Sequence, residues 1–211
     1  AGQTTWRPFT MNEWMAAVAK CKTGKSAGPD GIPYEIWKIL PAAVTQRINR
    51  IFDRCVRENR VPNCWGTSKG VPLFKKGDPT DAYMYRIISL NNTLSKVYER
   101  MVLARITPII NTHISTQQHG FCKCKNTQGA GILLAAATGM GKTRTECRRH
   151  GRTYVAFIDI RKAYPTVYRP ALLTKLYKAG IKGHLFRAVE AMYHKVQNRI
   201  YIGTQSSDPY D

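Results

Sequence analysis

Asp159 stands at the end of an apolar run, Tyr154-Val155-Ala156-Phe157-Ile158, whose composition is that of a short strand. A carboxylate at the mouth of a buried strand loses hydration unless a cation neutralises it, so a divalent metal is a natural partner. Without its surroundings the same residue is a solvated aspartate opening a turn. Tyr164 follows closely and reads either as a core aromatic under that strand or as a planar ring shown to a ligand. Lys75, Lys76 and Arg86 form a second group, an exposed basic turn or a grip on phosphate oxygens. Arginine offers a planar fork for such oxygens and lysine a mobile point charge. Arg47, Arg50, Arg54 and Arg57 recur on one helical face, either merely solvated or laid against a phosphate backbone. Lys142, Arg144, Arg148, Arg149 and Arg152 make another basic face, on or after a helix.

Two further patterns invite chemistry. Cys122-x-Cys124, beside His119, and the later Cys147-x-x-His150 can supply four zinc ligands, though the second half matches no tight knuckle spacing. The alternative is a set of unpaired thiols. With 43% hydrophobic residues the chain needs no disulfides, which points to a reducing intracellular setting for its 6 cysteines. Met140-Gly141-Lys142-Thr143 has the look of a phosphate loop, but Ala136 stands where that loop needs glycine and no strand feeds it.

These residues must be placed by an alternation of helices and strands. Thr10 and Glu13 form a capping box for a helix carrying Trp14, Met15 and Val18, ended by Gly24. Gly28-Pro29-Asp30-Gly31 is a turn cluster. Pro41 opens a helix with Val44, Ile48, Ile51, Phe52 and Cys55 on its apolar stripe. Residues 71–74 and 86–90 predict a hairpin whose tip is the basic turn 75–79. Leu94, Val97, Tyr98, Met101 and Val102 predict a helix limited by Pro108, and residues 132–134 another. After the Asp159 strand, Pro170 starts a helix with Leu172, Leu173 and Leu176, closed by Gly180. Phe186, Val189 and Met192 predict one more helix, and residues 199–202 a last strand. The class is α+β.

The charge balance narrows the partners. The chain has 211 residues, 33 Lys plus Arg, 13 Asp plus Glu and a net charge of +20. Such an excess self-repels without a polyanion, and nucleic acid suits it better than a membrane surface. No stretch approaches the roughly 18 apolar residues of a membrane span. No secretory signal is visible at the start, and an opening on Ala1 suggests a processed or cut form.

Four stretches carry a resemblance. GKSAGPDGIPYEIWK (residues 24–38), VPLFKKGDPTDAYMYRIISLNNTLSKVYERMV (71–102), ISTQQHGF (114–121) and YVAFIDIRKAYPTV (154–167) resemble, in order, blocks of the reverse transcriptases. The likeness is closest to the non-LTR retrotransposon type and spans about residues 10 to 203. It implies reverse-transcriptase-like fingers over residues 1–121 and a connector helix with an incomplete palm sheet over 122–211.

The resemblance also assigns roles. Asp159 becomes one of three acids that hold two Mg²⁺ ions, aided by the backbone carbonyl of Ile160. The other two acids belong to a later double-aspartate hairpin, and no such pair occurs in this sequence. Tyr164 matches the aromatic that excludes a ribose 2′-hydroxyl, and Lys75, Lys76 and Arg86 match the residues that clasp the incoming triphosphate. Three departures stand out: Pro165 where a second Asp is usual, Ile87 where Pro is usual, and Cys122 where a basic residue is common.

The expected function is a truncated reverse-transcriptase-like protein that binds RNA, or an RNA/DNA hybrid, inside a larger ribonucleoprotein. It would not polymerise alone. The alternative is the first half of an active polymerase completed by a missing or separate second half. Either way a covering partner is expected for the unfinished palm. A retroelement product would work in the nucleus, with an organellar ribonucleoprotein as the alternative. A sequence-specific DNA-binding protein lacks any matching pattern.

Overall fold

Thr10 begins the first helix by the expected exchange: its hydroxyl accepts from Glu13 N at 3.2 Å, and Glu13 Oε2 accepts from Thr10 N at 2.8 Å. The computed structural model describes residues 6–138, 154–194 and 196–210. Helix α1 spans Met11–Ala19 and stops well before Gly24. Met15, expected on its apolar stripe, is exposed, whereas Trp14, Ala17 and Val18 are buried. The turn cluster closes with Gly31 N donating to Gly28 O at 3.1 Å. Gly28 lies so tightly on the backbone that a Cβ there would meet Asn91 O at 2.4 Å. A short helix that the periodicity did not reveal, α2 (Tyr34–Lys38), follows. Its Trp37 donates to Thr93 Oγ1 at 2.7 Å.

Helix α3 (Ala42–Glu58) starts after Pro41 and ends on Asn59 in the left-handed region at φ 52°. Ile48, Phe52 and Cys55 are buried as the stripe requires. Val44 and Ile51 lie outside it and are exposed. Polar residues take their expected share of the buried face instead. Asp53 accepts from Trp6 Nε1 at 3.0 Å and from Phe9 N at 2.9 Å, fastening the N-terminal segment to α3.

The hairpin forms from β1 (Thr67–Phe74) and β2 (Tyr85–Leu90), antiparallel, with Leu73 opposite Arg86 and Val71 opposite Ile88. Helix α4 (Thr93–Asn111) runs through Pro108, which was expected to stop it. Proline has no amide to donate to Ala104 O and its ring crowds the preceding turn, and α4 continues for only three residues beyond it. Helix α5 (Thr127–Thr138) forms where Ile132 to Leu134 predicted it, but Ile132 and Leu133 are exposed.

Helix α6 (Arg169–Lys178) is closed by Gly180 at φ 93°, with Ile181 N reaching back to Leu176 O at 3.1 Å. Helix α7 (Gly183–Met192) precedes β3 (Gln197–Ile202) and β4 (Gln205–Ser206). The hairpin is therefore part of a four-stranded sheet ordered β2-β1-β3-β4, with β3 parallel to β1. That crossover pairing joins segments far apart in sequence, which no local pattern reveals.

Two compact units result, residues 1–110 with 169–211, and residues 111–168. The first holds the described sheet and a core built on Phe9, Trp14, Phe52 and Tyr98, with Trp65 packed against it. Ring centroids of Phe52 lie 5.1 Å from Tyr98 and 5.9 Å from Trp65. The second unit contains α5 and the segment around Asp159. Among the described residues no helix is long and apolar enough to cross a membrane.

Candidate nucleic-acid interface

The hairpin end that carries Lys75, Lys76 and Arg86 is built by its own turn chemistry. Lys75 N donates to Met84 O at 2.9 Å, extending the ladder one step past Phe74. Gly77 at φ 97° turns the chain. Asp78 accepts from Thr80 N at 2.8 Å and Thr80 Oγ1 at 2.7 Å, bonds that hold its carboxyl below the usual range. Asp81 accepts from Tyr83 N at 2.8 Å and caps a short 3-10 turn, Ala82–Met84. Both acids of the loop are thus engaged with the turn. Among the described residues no salt bridge involves Lys75, Lys76 or Arg86, and all three are exposed. The structure brings this trio to one end of one hairpin.

Arg47, Arg50, Arg54 and Arg57 all lie on the exposed side of α3. Arg54 is bound to Glu58, which also accepts from Arg60 Nε at 2.6 Å. One carboxylate thus faces two guanidiniums, which hold its pKa below the usual value. Arg54, Glu58 and Arg60 border an open groove of about 1190 Å³, reaching from the C-terminal end of α3 to Thr67 and Gln197 at the start of β1 and β3.

The segment around Asp159 differs from expectation. Residues 154–160 form neither helix nor strand, and Asp159 is exposed. Tyr154, Phe157, Ile158 and Ile160 are exposed by 87%, 84%, 91% and 68%. A strand needs a neighbour to receive its amides and carbonyls, and no described strand pairs with this one. Beyond it, Lys162 at φ 52° starts a turn in which Thr166 N donates to Lys162 O at 3.1 Å. Tyr164 lies in that turn, 78% exposed, so it is not a core aromatic here. Asp159, Ile160 and Tyr164 belong to the second unit, whereas Lys75, Lys76, Arg86 and the α3 arginines belong to the first.

Among the described residues no group of three His, Cys, Asp or Glu side chains can hold an ion. Asp159 alone does not fit a pair of Mg²⁺ ions, which need a cluster of carboxylates. Of the zinc candidates, Cys122 and Cys124 are free thiols, and His119 Nδ1 lies 3.2 Å from Asn126 O. Cys147 and His150 lie outside the described residues, as do Lys142, Arg144, Arg148, Arg149 and Arg152.

The family model described as reverse transcriptase (RNA-dependent DNA polymerase) matches residues 74–207, more than half of the chain. The chain belongs to the reverse transcriptase family. Its relatives are polymerases of non-LTR retrotransposons. A retrovirus-related Pol polyprotein from the type-1 retrotransposable element R1 of Bradysia coprophila is 31% identical over 172 residues, covering 80% of this chain and 16% of the relative. The RNA-directed DNA polymerase from mobile element jockey of Drosophila funebris is 26% identical, over 88% of this chain and 20% of the relative. A Pol polyprotein from element R2 of Popillia japonica is 26% identical, over 84% of this chain and 23% of the relative. The chain spans about a fifth of the length of these relatives.

Sequence reasoning missed two cations of this reverse-transcriptase domain, Lys69 and Arg199. They are partners across the β1–β3 ladder. Alternation from Leu73 back through Val71 would have placed Lys69 on the same face, had β1 been extended beyond Val71. Arg199 needed the crossover.

Proposed function

We propose that this chain supplies the phosphate-gripping fingers portion of an RNA-directed DNA polymerase, with residues 1–121 as N-terminal segment and fingers and 122–211 as connector and incomplete palm. It binds RNA through its basic surface and does not polymerise by itself. The observation that carries this reading is the exposed cluster of Lys75, Lys76 and Arg86 on a hairpin whose own acids are spent on the turn. Asp159 would contribute one metal-holding carboxylate once further acids and Mg²⁺ complete the site, and Tyr164 would set the sugar preference. Two settings fit, a component of a larger ribonucleoprotein and a polymerase completed by a second half. The relatives named above are far longer mobile-element polymerases, which favours the second. Such a product would act inside the cell, in the nucleus.

The test is binding and primer extension side by side. With primer-template, nucleotides and Mg²⁺ the 211-residue chain should show no extension over a protein-free control. It should bind RNA with little sequence preference, weakening by orders of magnitude between about 50 and 200 mM salt as released counterions lose their advantage. Extension abolished by Asp159→Ala, or affinity indifferent to salt, would overturn the reading.

A further inference from the structure

We propose that Lys69 and Arg199 join Arg86 to the Arg54–Arg60 groove, making one continuous track for the phosphates of single-stranded RNA. The inference rests on the RNA-binding reading above and adds the path the strand takes. Cross-strand partners project from the same face of a sheet. Lys69 is the partner of Arg199, and Leu73 is the partner of Arg86. Lys69 and Leu73 alternate on one side of β1, so Lys69, Arg199 and Arg86 share a face. About 13 Å of strand separates Lys69 from Leu73 at the usual rise per residue.

The pairing of Lys69 with Arg199 is unfavourable in isolation. Like charges directly opposite on neighbouring strands destabilise a sheet. Lys69 is steadied by a ring, its ammonium lying 5.1 Å from the Tyr201 centroid, and not by a carboxylate. Among the described residues no salt bridge includes Lys69, Arg86 or Arg199. A bound anion relieves the repulsion, and a phosphate is of a size to meet both cations. Beneath Lys69 the opposite face of β1 is closed to a ligand: Ser68 and Gly70 are buried, and a Cβ on Gly70 would meet Ile87 Cγ2 at 2.9 Å.

Continuity comes from the next alternation. Thr67 and Gln197 are ladder partners one step from Lys69 and Arg199 on the same face, and both line the groove bordered by Arg54 and Arg60. Glu58 neutralises only one of those two guanidiniums, so the groove keeps a positive excess. The three strands β2, β1 and β3 make a face about 10 Å wide, two inter-strand spacings, which suits one backbone.

The experiment uses the full chain and a fluorescent single-stranded oligouridylate, titrated over a series of salt concentrations. Lys69→Gln with Arg199→Gln should reduce the slope of log affinity against log salt by about 1.4, near 0.7 for each lost phosphate contact on a single strand. Arg86→Gln is the control for the underlying reading. If Arg86→Gln lowers the slope and the double variant does not, the track is wrong and the RNA-binding reading stands. If neither lowers it, both fall. Should the double variant fail to melt cooperatively, photocrosslinking of 4-thiouridine RNA to the wild-type chain decides. Adducts on peptides bearing Lys69 or Tyr201 are expected, and adducts confined to residues 75–86 overturn the track. Equal binding of duplex RNA through the same residues would overturn the single-strand assignment.

Discussion

Arg105 is the residue on which the N-terminal segment closes. Its guanidinium donates to Glu13 at 2.7 and 2.9 Å and to the carbonyls of Arg7 at 2.6 Å and Pro8 at 3.0 Å. The same group lies 4.4 Å from the Trp6 ring and 4.3 Å from the Phe9 ring. Burial by itself would raise the Glu13 pKa, but hydrogen bonds from Arg105 and Thr10 outweigh it and hold the carboxyl at about 2. The folded value lies below the ordinary carboxylate value, so the unfolded chain takes up the proton first. Its contribution is therefore full above about pH 4.5 and drains away as pH falls toward 2. Glu13→Gln should cost about 1.5–3 kcal/mol at pH 7, the range of charge-assisted bonds, with the deficit shrinking by pH 3. Urea melts at the two pH values check this. An equal deficit at both would remove the ionic part of the explanation. The Thr10–Glu13 half of this arrangement was legible in the sequence because it is local. Arg105, 92 residues from Glu13, was not.

At the scale of elements, legibility followed the range of the interaction that forms each one. Helix α3 and the β1–β2 hairpin were readable because periodicity, proline and turn residues act over a few positions. The β3 partnership was not, since it depends on a crossover. The run 154–158 has strand composition yet forms no strand here, because composition supplies apolar side chains and not a neighbouring ladder. The cysteines of these elements should separate by position. Burial pushes Cys55 on α3 up to about 11 and raises Cys21 as well, leaving little thiolate at neutral pH. Cys64 and Cys124 are exposed. Brief iodoacetamide treatment of the native chain, followed by peptide mass mapping, should label Cys64 and Cys124 well before Cys21 and Cys55. Equal labelling before denaturation would show that the α1–α3 core opens on that timescale.

For the whole molecule, the two units carry unequal shares of what the family needs. The first has a core of buried aromatics and its own sheet. In the second, Phe121, Tyr154, Phe157, Ile158, Ile160 and Tyr164 are all exposed, the first of them by 98%. The backbone of residues 154–160 meets water and needs no partner, so the cost lies in the side chains. Each large apolar group left in water forgoes about 1.5–3 kcal/mol of burial. Several together exceed what a monomer usually leaves uncovered and favour association. The net charge of +20 opposes that association, strongly at low salt and weakly once screened. The purified chain should therefore sediment as a monomer in dilute, low-salt buffer and form larger species at micromolar concentration in about 0.5 M salt. Phe157→Asp with Ile158→Asp should suppress those species without changing the melt of the first unit. A chain that stays monomeric at high salt, or a double variant that associates as before, would show that this segment is not the adhesive surface. The covering partner proposed for the palm would then lose its physical argument.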